Sequence, residues 1–122
     1  MVEIRKGDFS IDEVAAGMRS PEVGAIITYT GTVRQFPGGA GLSFEDRQEA
    51  IQSLKQIEKR AVEKFDIAAV AIIHRVGFLG ITENILLVAV SAAHRGAAFD
   101  AISSIINEIK SLHKSWQREV QK

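Results

Sequence analysis

The chain has 122 residues, of which 46% are hydrophobic and 25% charged, and its 15 basic and 15 acidic side chains give no formal net charge. This length fits one domain, residues 1–122, and the composition excludes an intrinsically disordered protein. A balanced charge argues against nucleic acid or a membrane surface as partner, and no apolar run reaches the roughly 18 residues of a membrane span. The start, MVEIRKGDF, lacks the apolar core of a signal peptide, which predicts a cytoplasmic location.

The chain contains no cysteine, which excludes disulfides, thiolate metal sites, thiol nucleophiles and persulfide carriers. Any sulfur that this protein handles must therefore be delivered by another molecule. The three histidines, His74, His94 and His113, are widely spaced and include no close pair of the metal-ligand kind. We expect no metal and no cofactor, and a zinc site built from these histidines and a carboxylate stays open as the alternative.

The first part of the chain predicts a strand, a short helix and a second strand. The segment Val2–Arg5 alternates apolar and polar residues, as a short edge strand does. Ser10 and Glu13 form a capping-box pattern, which predicts a short helix that ends near Pro21. The segment Val23–Val33 is rich in β-branched residues and predicts a buried strand.

The middle of the chain alternates loops with longer elements. Three glycines and a proline make Arg34–Gly41 a predicted mobile loop, and Leu42–Glu45 is a candidate short strand. The apolar period of Asp46–Phe65 predicts a long helix with a charged outer face. The segment Ile67–Val76 predicts a buried strand, and turn residues fill Gly77–Asn84.

The last part predicts one more strand and one more helix. The apolar run Ile85–Ser91 predicts a strand antiparallel to Ile67–Val76. A second long helix begins near Gly96 and ends near Trp116. The order β-α-β-β-α-β-β-α predicts an α+β domain, in which a mixed, mainly antiparallel sheet packs with two long helices and one short helix.

His94 and Arg95 fall at the junction between the last predicted strand and the last helix. Backbone N–H groups at a helix start are unpaired, and the helix dipole there favours negative charge. A guanidinium and an imidazole at such a point are typical of an anion-binding site. The alternative is that Arg95 forms a surface ion pair and His94 caps a neighbouring group.

The end of the last helix is mildly cationic, with Lys110, His113 and Lys114 three and four residues apart. These side chains share one face of the helix if the helix continues that far. They either contribute to a site or form an ordinary solvated helix end, whose cations complement the helix dipole.

Arg34 follows a buried strand at the lip of the glycine-rich loop, where it is either an exposed arginine or part of a site. The loop lacks the Gly-Lys-Ser/Thr ending of a phosphate-binding loop. A second basic pair, His74 and Arg75, ends another strand, and we expect it to serve in core or interface packing. The sequence allows no Ser-His-Asp triad to be assigned.

These pieces together resemble the MoaE family, the large catalytic subunits of molybdopterin synthase. The matching segments, in the family's order and near its spacing, are Thr30–Arg34, Val70–Gly77, Val90–Phe99, and Lys110 followed by Trp116–Glu119. The resemblance implies an α/β-hammerhead fold that assembles as a homodimer.

The resemblance also implies a partner and a reaction. A small ubiquitin-like sulfur carrier would bind at each end of the dimer, giving a heterotetramer, and its C-terminal Gly-Gly tail would carry a thiocarboxylate. Two sulfurs would pass in turn to cyclic pyranopterin monophosphate and form the dithiolene of molybdopterin. The absence of cysteine fits this scheme, because the sulfur arrives on the carrier.

The resemblance implies specific site residues as well. Lys110 matches an essential catalytic lysine, suited to general acid/base work or to stabilising a tetrahedral intermediate. The matched substrate-binding positions are Thr32, Val33, Arg34, His94, Arg95, Lys110, Gln117, Arg118 and Glu119. This interpretation requires the cations Arg34, His94, Arg95 and Lys110 to converge on one cleft that binds a phosphate.

Gln117 departs from the family, which usually has a second functional lysine at this position. A glutamine can donate a hydrogen bond but carries no charge and shuttles no proton. Lys114 is the candidate to compensate, although it lies three residues earlier. Two alternatives to an active sulfurtransferase therefore stay open. One is a catalytically impaired homologue that acts as a binding or scaffold subunit, and the other is a phosphate-binding dimer that uses no carrier.

Overall fold

The computed structural model describes residues 1–122, which form three helices and seven strands. In chain order these are β1 (Val2–Arg5), α1 (Ile11–Gly17), β2 (Ala25–Thr32), β3 (Gly39–Phe44), α2 (Gln48–Lys64), β4 (Ala69–Arg75), β5 (Gly77–Gly80), β6 (Asn84–Ala92), α3 (Arg95–His113) and β7 (Gln117–Gln121). The α+β class, the two long helices and the single short helix are confirmed.

Four strands form one sheet in the order β1-β4-β6-β2. Strand β6 pairs antiparallel with β4 and with β2, while β1 adds to the free edge of β4 in parallel. The predicted antiparallel pairing of the two long apolar segments is confirmed. Strand β6 is buried along nearly its whole length, because it lies in the middle of the sheet and α3 packs against it.

The other three strands form a second, antiparallel sheet in the order β5-β3-β7, where the sequence predicts a single sheet. Strands β5 and β7 are not among the predicted elements. The Gly-Phe-Leu-Gly sequence of β5 has the composition of a turn, and the side chains of β7 are mostly polar and exposed. Both strands are held by backbone hydrogen bonds to β3, which leave no hydrophobic period in the sequence.

Part of the predicted mobile loop is in fact strand, since β3 begins at Gly39. Gly41 is required there by a close approach of two strands. A Cβ atom at this position would overlap the carbonyl oxygen of Leu79 and lie 2.9 Å from the ring of Phe78, both in β5. Any larger residue would push β5 away from β3.

The helix starts follow the sequence closely. The Ser10 hydroxyl accepts a hydrogen bond from the backbone N–H of Glu13 at 3.2 Å, which confirms the N-terminal half of the capping box. Helix α1 stops at Gly17, short of the predicted end near Pro21. His94 is the N-cap of α3 in an extended conformation and forms no side-chain capping bond.

The hydrophobic core lies between the four-stranded sheet and helices α2 and α3. Its fully buried members include Leu54 of α2, Val88 of β6, and Ile105 and Ile109 of α3. Each such side chain contributes about 1.5–3 kcal/mol to folding through burial. None of the helices is both long and apolar enough to cross a membrane.

Candidate functional site

A cleft of about 630 Å³ opens where the end of β2, strand β3, the last turns of α3 and strand β7 meet. Five of the predicted site residues line it: Thr32, Arg34, Lys110, Gln117 and Glu119. These residues come from three separate parts of the chain. Folding therefore brings together Arg34 and Lys110, the two cations that the phosphate-binding interpretation most requires.

Val33 holds the segment that carries Thr32 and Arg34. Its side chain is 2% exposed and belongs to the hydrophobic core, so it does not offer the predicted substrate contact. Its N–H donates to the carbonyl oxygen of Glu83 at 2.9 Å, and its own carbonyl oxygen accepts from the N–H of Thr82 at 2.8 Å. With Val33 fixed in this way, its two neighbours are exposed and reach the cleft.

Three predicted site residues, Gln117, Arg118 and Glu119, are consecutive in strand β7, and their side chains therefore point alternately to its two faces. Gln117 pairs with Phe44 and Glu119 with Leu42, and both line the cleft. Arg118 pairs with Ser43 and is exposed, but it does not line the cleft, because successive side chains of a strand point to opposite faces. The expected substrate contact by Arg118 is not seen within this chain.

His94 and Arg95 lie at the far end of the domain. Strand β2 pairs Ala25 with Ala92 at that end and Thr32 with Asn84 at the cleft end, so its length of about 24 Å separates the two regions. Helix α3 places Lys110 about 22 Å along its axis from Arg95. The four cations therefore do not converge within one chain, and their convergence across two copies of the chain stays a prediction. Both residues are exposed at the start of α3.

Lys114 does not enter the cleft. It is the exposed C-cap residue of α3, where the chain turns toward β7, and it is absent from the cleft wall. Lys110 is thus the only lysine that lines this cleft. The prediction that Lys114 compensates for Gln117 receives no support from its position.

The cleft also contains residues that the sequence analysis misses, including Tyr29, Thr30, Gln35 and Phe36. Tyr29 is the single tyrosine of the chain, and its ring lies beside Gly31, at 3.4 Å from where a Cβ atom would be. The alternation of β2 was the available signal, because Tyr29 and Gly31 share the same face of the strand.

The two other histidines lie in the core beside the cleft. His74 is fully buried, as the packing interpretation predicts, and His113 is 5% exposed. Burial, together with the nearby charge of Lys110, lowers the pKa of His74 to about 4. Burial, the neighbouring His74 and the charge of Lys110 lower the pKa of His113 to about 3. No group of three or more His, Cys, Asp or Glu side chains is placed to hold a metal ion.

Arg75 is structural rather than part of the cleft. Its guanidinium donates to the carbonyl oxygens of Lys6 and Asn84 at 3.0–3.1 Å and pairs with Glu83 at 3.3 Å. These contacts tie β1 and the turn before β6 together. Thr82 and Glu83 of the same turn form backbone hydrogen bonds with Val33. The Arg75 contacts therefore also support the segment that carries Arg34.

Comparison with known proteins gives a consistent family. Residues 4–112 match the family described as MoaE protein. A molybdopterin synthase catalytic subunit from Thermoplasma volcanium is 35% identical over 123 residues, an alignment that covers 98% of this chain and 90% of that protein.

Solved structures share the fold. Molybdopterin synthase from Staphylococcus aureus superposes with a TM-score of 0.85 at 28% identity, covering 98% of this chain and 90% of that one. A chain from a complex of subunits 1 and 2 of molybdopterin-converting factor from Helicobacter pylori superposes with a TM-score of 0.74. It is 18% identical, with coverage of 89% of this chain and 77% of that one, and at this identity the likeness concerns the fold alone.

Proposed function

The chain belongs to the MoaE family, whose curated relatives are molybdopterin synthase catalytic subunits, and we propose that it transfers sulfur from a thiocarboxylated ubiquitin-like carrier to cyclic pyranopterin monophosphate. The product is the dithiolene of molybdopterin, and family membership places the chain in the biosynthesis of the molybdenum cofactor. The observation that carries the proposal is the cleft in which Arg34 and Lys110 come together.

Arg34 and Lys110 suit a phosphorylated substrate. A guanidinium presents paired N–H donors that match two phosphate oxygens, and an ammonium adds a compact positive charge. Glu119 supplies one negative charge in the same cleft, and Thr32 and Gln117 supply neutral polar groups. The cleft therefore offers cations for a phosphate together with hydrogen-bonding groups for the polar ring of a pterin.

Lys110 also suits the transfer step. Sulfur leaves a thiocarboxylate only when the bond between carbonyl carbon and sulfur breaks. The thiocarboxylate sulfur first bonds to a carbon of the pterin side chain, and the bond from that carbon to its oxygen breaks, so that the oxygen leaves with a proton. Water then adds to the carbonyl carbon of the carrier and forms a tetrahedral oxyanion. Collapse of this oxyanion returns the carrier as a carboxylate and leaves the sulfur on the pterin. An ammonium beside the carbonyl stabilises the oxyanion and can supply a proton.

The sulfur must come from a partner, since the chain contains no cysteine. The Thermoplasma volcanium relative is named a catalytic subunit, which supports a second subunit as that partner. The resemblance to the MoaE family implies that this partner carries the sulfur on a C-terminal Gly-Gly tail. The cytoplasmic location stays a prediction from the sequence.

A homodimer would give His94 and Arg95 a role despite their distance from the cleft of their own chain. Both lie exposed at the start of α3, where backbone N–H groups are unpaired, and Phe99 one turn later is 53% exposed. An exposed aromatic residue beside cations is typical of an interface. In the proposed dimer, these two cations of one copy complete the cleft of the other. Two carriers then make the heterotetramer.

A catalytically impaired homologue is the second candidate function. It is favoured by one observation, which is that Gln117 lines the cleft where the family usually has lysine while Lys114 lies outside it. Such a protein would bind substrate and carrier without completing the transfer.

The test is an in vitro conversion assay with thiocarboxylated carrier and cyclic pyranopterin monophosphate. We expect the wild-type chain to form molybdopterin and Gln117→Lys to form it faster, because a second cation would stabilise the same oxyanion. Product from Gln117→Lys alone would favour the impaired homologue. Product from neither would refute the proposed function.

A further inference from the structure

A buried pair of imidazoles lies beside the cleft without lining it. His74 comes from the end of β4, and His113 is the last residue of α3. Their Nε2 atoms are 2.8 Å apart, and the Nδ1 atom of His74 lies 2.7 Å from the carbonyl oxygen of Arg75. One hydrogen bond inside the core therefore joins the end of the last helix to the four-stranded sheet.

The partners of this pair fix both tautomers. A carbonyl oxygen only accepts, so the Nδ1 atom of His74 carries the hydrogen. A neutral imidazole has a single N–H, which leaves the Nε2 atom of His74 as an acceptor. The Nε2 atom of His113 must then be the donor. The bond thus exists in one arrangement only, and a proton added to the Nε2 atom of His74 would break it.

Two aromatic rings enclose the pair. Phe44, at the end of β3, meets His74 edge-on with ring centroids 4.8 Å apart, and Trp116 lies with its centroid 4.3 Å from that of His74. The indole N–H of Trp116 donates to the carbonyl oxygen of Glu45 at 2.6 Å. The four rings connect β3, β4, the end of α3 and the start of β7.

This cluster lies directly behind one wall of the cleft. Lys110 precedes His113 by three residues on the same face of α3, and Gln117 follows Trp116 in the chain. Both residues line the cleft. The spacing of three residues places Lys110 within one helical turn of His113. An uncharged pair at this point adds no repulsion to the Lys110 ammonium.

We propose that the neutral His74–His113 pair is a positioning element for the cleft, whose single hydrogen bond holds the last turn of α3, and with it Lys110, at a fixed place against the sheet. This inference rests on the proposed function of the cleft. Neither imidazole lines the cleft, so both act through Lys110. A misplacement of about 1 Å at a reacting group is enough to cost on the order of a hundredfold in rate.

Three variants separate positioning from simple packing. His113→Phe keeps a ring but removes the N–H donor and leaves the His74 acceptor unpaired. His113→Gln returns an N–H donor near the same place. The double variant His74→Phe/His113→Phe keeps both rings and removes both Nε2 atoms, so that neither is left unpaired. Only the carbonyl oxygen of Arg75 loses a donor, and the fold should keep most of its stability.

We expect kcat for product formation to fall about ten- to a hundredfold in His113→Phe and in the double variant. KM should rise by a smaller factor, because the displaced Lys110 also loses part of its contact with the substrate phosphate. His113→Gln should restore kcat to within about threefold of wild type, because the donor is restored. A double variant that unfolds at the wild-type urea concentration and keeps the wild-type kcat would overturn the proposal.

A second measurement keeps this test independent of the proposed reaction. If the wild-type chain forms no product, the proposed function fails, and the affinity of the cleft for inorganic phosphate decides the inference. Weaker phosphate binding in His113→Phe and the double variant, with recovery in His113→Gln, supports the positioning role. Equal affinity in all three variants overturns it. Lys110→Ala is the reference for loss of the ammonium itself.

Discussion

Lowering the pH from 7 to 5 should destabilise the fold through the His74–His113 pair. Burial, with the charge of Lys110, lowers the pKa of His74 to about 4, and burial, with the neighbouring His74, lowers that of His113 to about 3. The usual value for both is 6.5. The unfolded chain therefore binds protons that the folded chain excludes. The contribution to stability is complete above the usual value and is lost as the pH falls toward the folded values.

The size of this effect follows from the proton count. Near pH 5, unfolding takes up nearly two protons, and each contributes about 1.4 kcal/mol per pH unit. At pH 5 the pair therefore lowers the free energy of unfolding by about 4 kcal/mol. This is a large part of the roughly 5–15 kcal/mol that stabilises a typical domain.

The assay is urea unfolding at several pH values between about 7 and 5, followed by the fluorescence of Trp116, the single tryptophan. We expect the free energy of unfolding to fall steeply as the pH drops. Asp8 should not contribute in this range, because the hydrogen bond from Asn84 lowers the pKa of its carboxyl from a usual value of 3.8. Its contribution is lost only at still lower pH.

Two variants serve as controls for this assay. The double variant His74→Phe/His113→Phe should lose the pH dependence, while a substitution of the exposed His94, such as His94→Gln, should keep it. A free energy of unfolding that stays constant between pH 7 and pH 5 in the wild type would refute the reasoning. An unchanged pH dependence in the double variant would refute it equally.

Two further predictions concern the cleft and the second sheet. Lys110→Ala should slow product formation by about a hundredfold or more while circular dichroism stays unchanged, because an oxyanion donor is lost at an exposed helical position that tolerates alanine. Lys114→Ala is the matched control, and an equal loss in both variants would contradict the assignment. Gly41→Ala should lower the free energy of unfolding by about 1–3 kcal/mol in urea, because its Cβ atom would overlap the carbonyl oxygen of Leu79. Gly7→Ala, whose Cβ atom meets nothing within 4 Å, should show no comparable loss.

The elements that carry a local signal could be predicted from the sequence. The β-branched run of β2, the apolar periods of α2 and α3 and the capping residue Ser10 each depend on neighbours in the chain, and the structure confirms these elements. The predicted burial of β2 is wrong, because β2 lies at the edge of its sheet and is mostly half-buried. Strands β5 and β7 could not be predicted, because they are stabilised by pairing with β3, a partner distant in sequence. Backbone pairing imposes little on the side-chain pattern.

The candidate site shows the same division. Arg34 and Lys110 could be singled out by family resemblance, and folding places both in one cleft. The sequence alone gave no reason to treat Arg118 differently from Gln117 and Glu119. Strand β7 separates them, because it puts Arg118 on the face opposite to the other two side chains. His113 shares a predicted cationic face with Lys110, yet it is buried, because its acceptor His74 lies on a strand distant in the chain.

The sequence by itself determined the α+β class, the two long helices, the absence of a thiol and the family. Only the tertiary structure decided which cations share a cleft. Antiparallel pairing carries β2 away from the start of α3, and α3 then carries the chain back across the domain. Arg34 and Lys110 therefore meet at one end, while His94 and Arg95 lie at the other. The physical reason is that strands and helices are rigid rods, whose lengths fix the distance between residues at their two ends.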